Sequence, residues 1–161
     1  MYDASGDTAM TVHSDGKARI WDIRNRTEIK QFDCGKTPLT CCAVHPNQAK
    51  IIAIGTEDAK ILLYDLDSGN RIAQFSHKDW ISGIEFSPDG TLLGSTSDDL
   101  TLRIWDIESS ALVAAIALRE SVFGCNWHPN GSQLLAVGAG GAARVSISRG
   151  NLTDGKGSDF D

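Results

Sequence analysis

The sequence contains no run of basic residues, and its acidic side chains outnumber the basic ones, with 21 Asp and Glu against 15 Lys and Arg. At a formal net charge of −6 and a pI near 5.1, the phosphate backbone of a nucleic acid is excluded as the main ligand, because holding it takes clustered cations. No apolar run approaches the roughly 18 residues that a bilayer-crossing helix needs, so no membrane partner is expected. The opening stretch MYDASGDTAM lacks the basic then apolar layout of a secretory signal, and an intracellular protein is expected. The cysteines, Cys34, Cys41, Cys42 and Cys125, show no C-x-x-C spacing and no regular framework of pairs. Adjacent Cys41 and Cys42 would point to opposite faces of a strand, so reduced, packed thiols are expected, with no metal and no cofactor.

What the chain has in place of these features is self-similarity. The stretch RIWDI at Arg19–Ile23 returns at Arg103–Ile107, with LLYDL at Leu62–Leu66 between them and a degraded RVSI at Arg144–Ile147. Trp21, Tyr64, Trp105 and Val145 are separated by 43, 41 and 40 residues. A second series, VHPN at Val44, FSPDG at Phe86 and WHPNG at Trp127, keeps the same period, and YDASG at Tyr2 is a weaker first copy. Short alternating or apolar runs such as ISGIEF, LLGST and TLRIWDI are bounded by Gly, Asp, Asn and Pro, which predicts consecutive antiparallel strands joined by tight turns. ALVAAIALRE has helical propensity, but its place after a Trp-Asp pair makes it an outer strand.

Four strands per unit of roughly 40 residues, ending in Trp-Asp, resemble the WD-repeat β-propellers, whose four-stranded blades surround a central channel. The resemblance covers about residues 2 to 147 and is most specific in FSPDGTLLGSTSDDLTLRIWDI. It implies a buried structural tetrad of His77, Ser97, Asp99 and Trp105 linking the turns and inner strands of one blade. Ser, His and Asp together could also belong to a hydrolase or a metal site. The recurrence of Asp15 and Asp58 six residues before Trp21 and Tyr64, with His13 or Thr56 at the Ser97 position, favours a blade motif over a catalytic set. In the last unit Val137, Ala139 and Val145 are expected to replace hydroxyl, carboxylate and ring. The GAGGA run at Gly138–Ala142 reads as a tight turn between strands, and His45 and His128 are expected to be exposed on separate blades.

Counting strands predicts an all-β chain holding roughly half a ring, with two complete and two incomplete four-stranded blades. The first unit lacks its inner strand, apart from a possible stub at Tyr2, and the fourth lacks its outer one. The expected organisation is a partial propeller over residues 1–147 and a polar, mobile tail over 148–161. Terminal blades of an open ring leave apolar faces wet. Their cover would come from the remaining blades of a longer chain or from association of copies.

The resemblance implies a non-catalytic scaffold or sensor module that binds protein or peptide partners through its loops. A structural subunit of a larger assembly and a propeller enzyme with its site at the channel mouth are the alternatives. An enzyme should converge acids, bases or nucleophiles from several blades, yet inner tracts such as ISGIEF and VFGCNW offer only Glu85 and Cys125. The candidate partner-binding residues are Trp80, Lys78, Asp79, Asp98, Glu57, Lys36 and Arg119, on loops that share one face. Trp80 is either an interface anchor or a lid over its own blade, and Asp98 and Glu57 either select basic peptides or are ordinary solvated turn residues.

Overall fold

The computed structural model describes residues 6–48, 50–138 and 141–146, and the side chains of 143, 144 and 146 are not described. The expected Tyr2 stub and the tail over 148–161 lie outside the described residues. The rest is strand and turn, in four antiparallel sheets. Sheet 1 holds β1 (Thr8–Val12), β2 (Lys17–Asp22) and β3 (Thr27–Asp33). Sheet 2 holds β4 (Leu39–Val44), β5 (Ile51–Thr56), β6 (Lys60–Asp65) and β7 (Arg71–Ser76). Sheet 3 holds β8 (Ile81–Phe86), β9 (Leu92–Ser97), β10 (Thr101–Asp106) and β11 (Leu112–Ala117). Sheet 4 holds β12 (Val122–Trp127), β13 (Gln133–Gly138) and β14 (Gly141–Ser146).

Every sheet is a meander in chain order, because two to six polar or Gly-containing residues suffice to reverse an antiparallel strand. Two sheets have four strands and two have three, which matches the strand count read from the repeats. The copies share their irregularities too. A register shift precedes the aromatic ring at Ile20/Trp21, Leu63/Tyr64 and Ile104/Trp105, and such bulges re-aim a side chain by bending one strand. In the second and third copies the middle hairpin closes through three residues, the last left-handed: Ala59 at φ 66° and Leu100 at φ 61°. That position suits glycine, as at Gly16 of sheet 1.

The core sits at the seams between sheets. Met10, Ala18 and Phe32 of sheet 1 pack with Leu39, Ile52 and Ile54 of sheet 2. Ala43, Ala53, Ile61, Leu63 and Phe75 meet Ile81, Ile84, Phe86, Leu93 and Trp105 at the next seam. Leu102, Ile104 and Leu118 then meet Val122, Cys125, Trp127, Leu134 and Ala136. A sheet in the middle of this series is covered on both faces. Accordingly β5, IIAIGT, is buried at every residue from Ile52 to Thr56, the pattern of a strand covered twice. A sheet at the end of the series is covered once. In β13, QLLAVG, Leu134 and Ala136 are buried while Leu135 and Val137 are exposed.

Candidate functional site

A continuous buried polar network lies in sheet 3. Strand β9 alternates with period two, so Leu93, Ser95 and Ser97 share the face that looks towards sheet 2. Opposite them in β10 stand Trp105, Arg103 and Thr101. The indole Nε1 of Trp105 donates to Ser95 Oγ at 2.8 Å, and Ser95 Oγ lies 2.8 Å from His77 Nε2. On the far side of the ring, His77 Nδ1 lies 3.0 Å from Asp99 Oδ2. With Nδ1 donating to the carboxylate, Nε2 is left as the acceptor of the Ser95 hydroxyl proton. Trp105 itself stacks on Phe75, with ring centroids 4.9 Å apart.

The hydroxyl in this chain is Ser95, which corrects the expectation of Ser97. Ser97 pairs with Thr101 at the strand's end, donates to the carbonyl of Asp79 at 2.8 Å and accepts from the amide of Asp99 at 3.1 Å. It therefore ties the β9–β10 turn to the β7–β8 loop. Asp99 also accepts from the Lys78 amide at 2.9 Å, the Thr101 hydroxyl at 2.5 Å and Arg103 Nη2 at 3.2 Å. Burial pushes the Asp99 carboxyl up, but the Thr101 and Lys78 bonds and the His77 ring outweigh it and hold the group down at about 2. Burial dominates at His77 and lowers its imidazole against the pull of Asp99.

Ser95, His77 and Asp99 thus have the connectivity of a nucleophile, its base and the orienting acid. Chemistry requires access, and Ser95 has none: it is fully buried and its oxygen already receives the Trp105 proton. Arg103 spans the outside of the network, donating from Nη1 to the Ser76 carbonyl at 2.8 Å and from Nε to Thr101 Oγ1 at 3.1 Å. The arrangement pins β7, β9 and β10 together and fixes the loop before β8.

The other sheets repeat it in part. In sheet 1, Thr11 takes the Ser95 position and accepts from Trp21 Nε1 at 2.8 Å, while His13 Nε2 approaches the same hydroxyl at 2.8 Å. Asp15 turns to Arg19 instead, at 2.7 Å. In sheet 2, buried Ile54 replaces the hydroxyl, and Thr56 donates to Asp58 at 2.6 Å. In sheet 4, Val145 pairs with Leu134 as Trp105 pairs with Leu93, but Ala136, not Val137, occupies the Ser95 position. Only two residues separate Gly138 from its partner Gly141, one fewer than between Ser97 and Thr101, so the 40-residue offset holds in β14 and becomes 41 in β13. Val137 therefore faces outwards. Ala139 lies outside the described residues.

Neither side chain singled out on the inner strands is presented as a reactive group. Glu85 accepts from the Trp127 amide at 2.6 Å and from Asn126 Nδ2 at 3.2 Å, clamping sheet 3 to sheet 4. Its half-buried setting raises the carboxyl against those bonds. Cys125 is buried and its thiol is pushed up by desolvation and then by Glu85, and burial carries Cys41 up to about 11. All four cysteines are free thiols. Among the described residues no three His, Cys, Asp or Glu side chains are placed to hold a metal ion, and no helix is long and apolar enough to cross a membrane.

The loop residues gather at one end of the sheets. Because strands alternate in direction, the β3–β4, β7–β8 and β11–β12 loops share an end with the β5–β6 and β9–β10 turns. The amide of Asp98 donates to the Trp80 carbonyl at 2.9 Å, and that of Glu57 to the Pro38 carbonyl at 3.1 Å. Trp80 is 44% exposed, so its ring does not lie sealed over its own sheet. Lys78, Asp79 and Asp98 stand beside it, Lys36 and Glu57 at the preceding seam, and Arg119 at the following one, all exposed. Exposed Leu100 shares the turn with Asp98 and escaped the sequence reading, since nothing marks one turn leucine as outward-facing.

Antiparallel meanders of this order, one of them carrying the full indole–hydroxyl–imidazole–carboxylate network, have the form of WD-repeat β-propeller blades, here not closed into a ring among the described residues. The chain carries the WD repeat: residues 69–106 match the family model described as WD domain, G-beta repeat. It is similar to Nucleoporin Nup43 of Homo sapiens, 33% identical over 64 residues, which is 37% of this chain and 17% of that protein. It is 29% identical to Nuclear distribution protein PAC1 of Arthroderma benhamiae over 119 residues, 60% of this chain and 26% of the other. Serine-threonine kinase receptor-associated protein of Bos taurus is 38% identical over 75 residues, 46% of this chain and 21% of the other. The chain thus spans about a quarter or less of the length of these relatives.

Proposed function

We propose that the chain is a sector of a propeller-shaped platform that binds protein or peptide partners inside the cell through the loops around Trp80. The observation that carries this reading is the exposed indole of Trp80 at an end where loops of three blades meet. An aromatic ring held by a rigid scaffold contributes contact area at little entropic cost, and such rings dominate binding energies at interfaces. Acidic Asp79, Asp98, Glu57 and Glu120 outnumber Lys36, Lys78 and Arg119 there, which suits a partner segment carrying basic residues beside an apolar one. The relatives named as a nucleoporin and a nuclear distribution protein are in keeping with an intracellular setting. The buried hydroxyl of Ser95 supports a scaffold in preference to an enzyme.

The test is affinity at the two ends of the blades. A partner recovered with the full chain is purified and titrated against Trp80→Ala and Asp98→Lys at the proposed end, and Glu108→Ala at the opposite end. Trp80→Ala should bind at least about tenfold more weakly, the size of an interface hot spot. Glu108→Ala should bind as the wild type does. Unchanged binding by both loop-end variants would overturn the reading.

A further inference from the structure

At the end opposite Trp80, sheet 2, the second blade, is fastened to sheet 3, the third, by His45, a side chain expected from the sequence to be exposed. His45 opens the turn between β4 and β5 and is only 5% exposed. Its ring lies 5.1 Å from that of Phe86 in β8. Nδ1 accepts from the backbone amides of Asn47 at 3.2 Å and Gln48 at 3.1 Å. Because Nδ1 receives hydrogens it carries none, and the proton of the neutral ring is on Nε2, which donates to the Gly90 carbonyl of blade 3 at 3.1 Å. Asn47 Nδ2 makes a parallel bond to the Asp89 carbonyl at 3.1 Å. The fit leaves no slack, since a Cβ on Gly90, at φ +77°, would lie 2.1 Å from His45 Cε1.

We propose that His45 is a pH-responsive latch between blades 2 and 3, closed by the neutral imidazole and released when a second proton enters the ring. A proton on Nδ1 would confront the two amides that now donate to it, so both bonds within the turn are lost and the ring is driven from its seat against Gly90. The charged group facing the ring from blade 3 is Asp89, whose carboxylate is engaged by the Ser87 hydroxyl at 2.7 Å and the Thr91 hydroxyl at 2.8 Å. On its own turn Lys50 is paired with Asp67. Burial holds the imidazole below its usual value, outweighing the opposing pull of Gly90 and Asp89. With the folded value lowered, the unfolded chain binds more protons. The stabilisation from the latch is complete above about pH 6.5 and is lost as pH falls from there towards the folded value. His128 heads the corresponding turn of blade 4 and accepts from the Asn130 amide at 3.3 Å, but its ring is exposed, and among the described residues no further blade offers it a carbonyl.

The full chain decides the matter in two ways. Nitrogen-15 spectra of the His45 ring should show hydrogen on Nε2 at neutral pH and a titration below the ordinary imidazole range. The urea midpoint of the wild type, less that of His45→Gln, should fall between about pH 7.5 and about pH 5.5, one unit either side of an ordinary imidazole. His128→Gln should keep the wild-type profile. Hydrogen on Nδ1 at neutral pH, or a flat difference profile, overturns the proposal. If His45→Gln does not fold, the wild-type ring spectra decide alone.

Discussion

At the scale of single residues, Ser95 and Ser97 show what a motif can and cannot convey. The resemblance to WD-repeat blades implies one network for His77, Asp99 and Trp105, and the structure brings their side chains together through one hydroxyl. Which serine supplies that hydroxyl is not written in the spacing, because residues two apart on a strand share a face. It is set by the register of β9 on β10, where Ser95 sits two pairs inward of Thr101, opposite Arg103 and beside the bulge that aims Trp105. His45 was misplaced for a related reason: its acceptor lies 45 residues further on. The two serines should differ on mutation. Ser95→Ala leaves the buried indole and imidazole without their shared partner, and should cost about 2 to 3 kcal/mol. Ser97→Ala frees groups at the edge of a loop, which water can reach, and should cost about 1 kcal/mol. Urea unfolding of both variants measures the gap, and equal costs would mean that Ser95 is not the hub.

At the scale of strands, the blade units were legible because the turn signals recur with the period, whereas the faces of the strands were legible only where the copies have equal length. The shorter hairpin of blade 4 shifted β13 by one residue, and a one-residue slip exchanges the two faces. It carried Val137 from the core into solvent. The seams have a second feature invisible in the repeats. ISGIEF and VFGCNW each carry a glycine at the same place, yet the two are not equivalent. A Cβ on Gly83 would lie 2.6 Å from Gly124 Cα and 3.0 Å from Thr96 Oγ1, so β8 can approach β12 only because Gly83 has no side chain. A Cβ on Gly124 meets nothing within 4 Å. Gly83→Ala should therefore force the strands apart at a cost of about 1 to 3 kcal/mol. Gly124→Ala should be close to neutral. Thermal melts of the pair test this, and the idea fails if Gly124→Ala is the more damaging.

At the scale of the molecule, the two ends of the blade series differ in chemistry. Blade 1 turns outwards the face that carries the Trp21–Thr11–His13 bonds, together with Arg19 and its partner Asp15. Blade 4 turns outwards Phe123, 71% exposed, with Leu135 and Val137. In blade 3 the matching outward face is buried, with Leu102 and Ile104 packed against Trp127 and Leu134. The apolar character of the blade 4 face is thus the character of a seam, and water is a poor substitute for the blade that would fill it. A heterologous pair, leading face to trailing face, repeats the internal seams, so the exposed flank should draw copies of the isolated chain together. Light scattering after gel filtration should give a mass above that of one chain. Phe123→Ser with Val137→Thr should return it towards a single chain, and at dilutions where the wild type is also a single chain the unfolding midpoints should agree, since neither side chain is buried within one copy. Were the mass unchanged by these substitutions, the flank of blade 4 would not be the surface through which the blades find their neighbour.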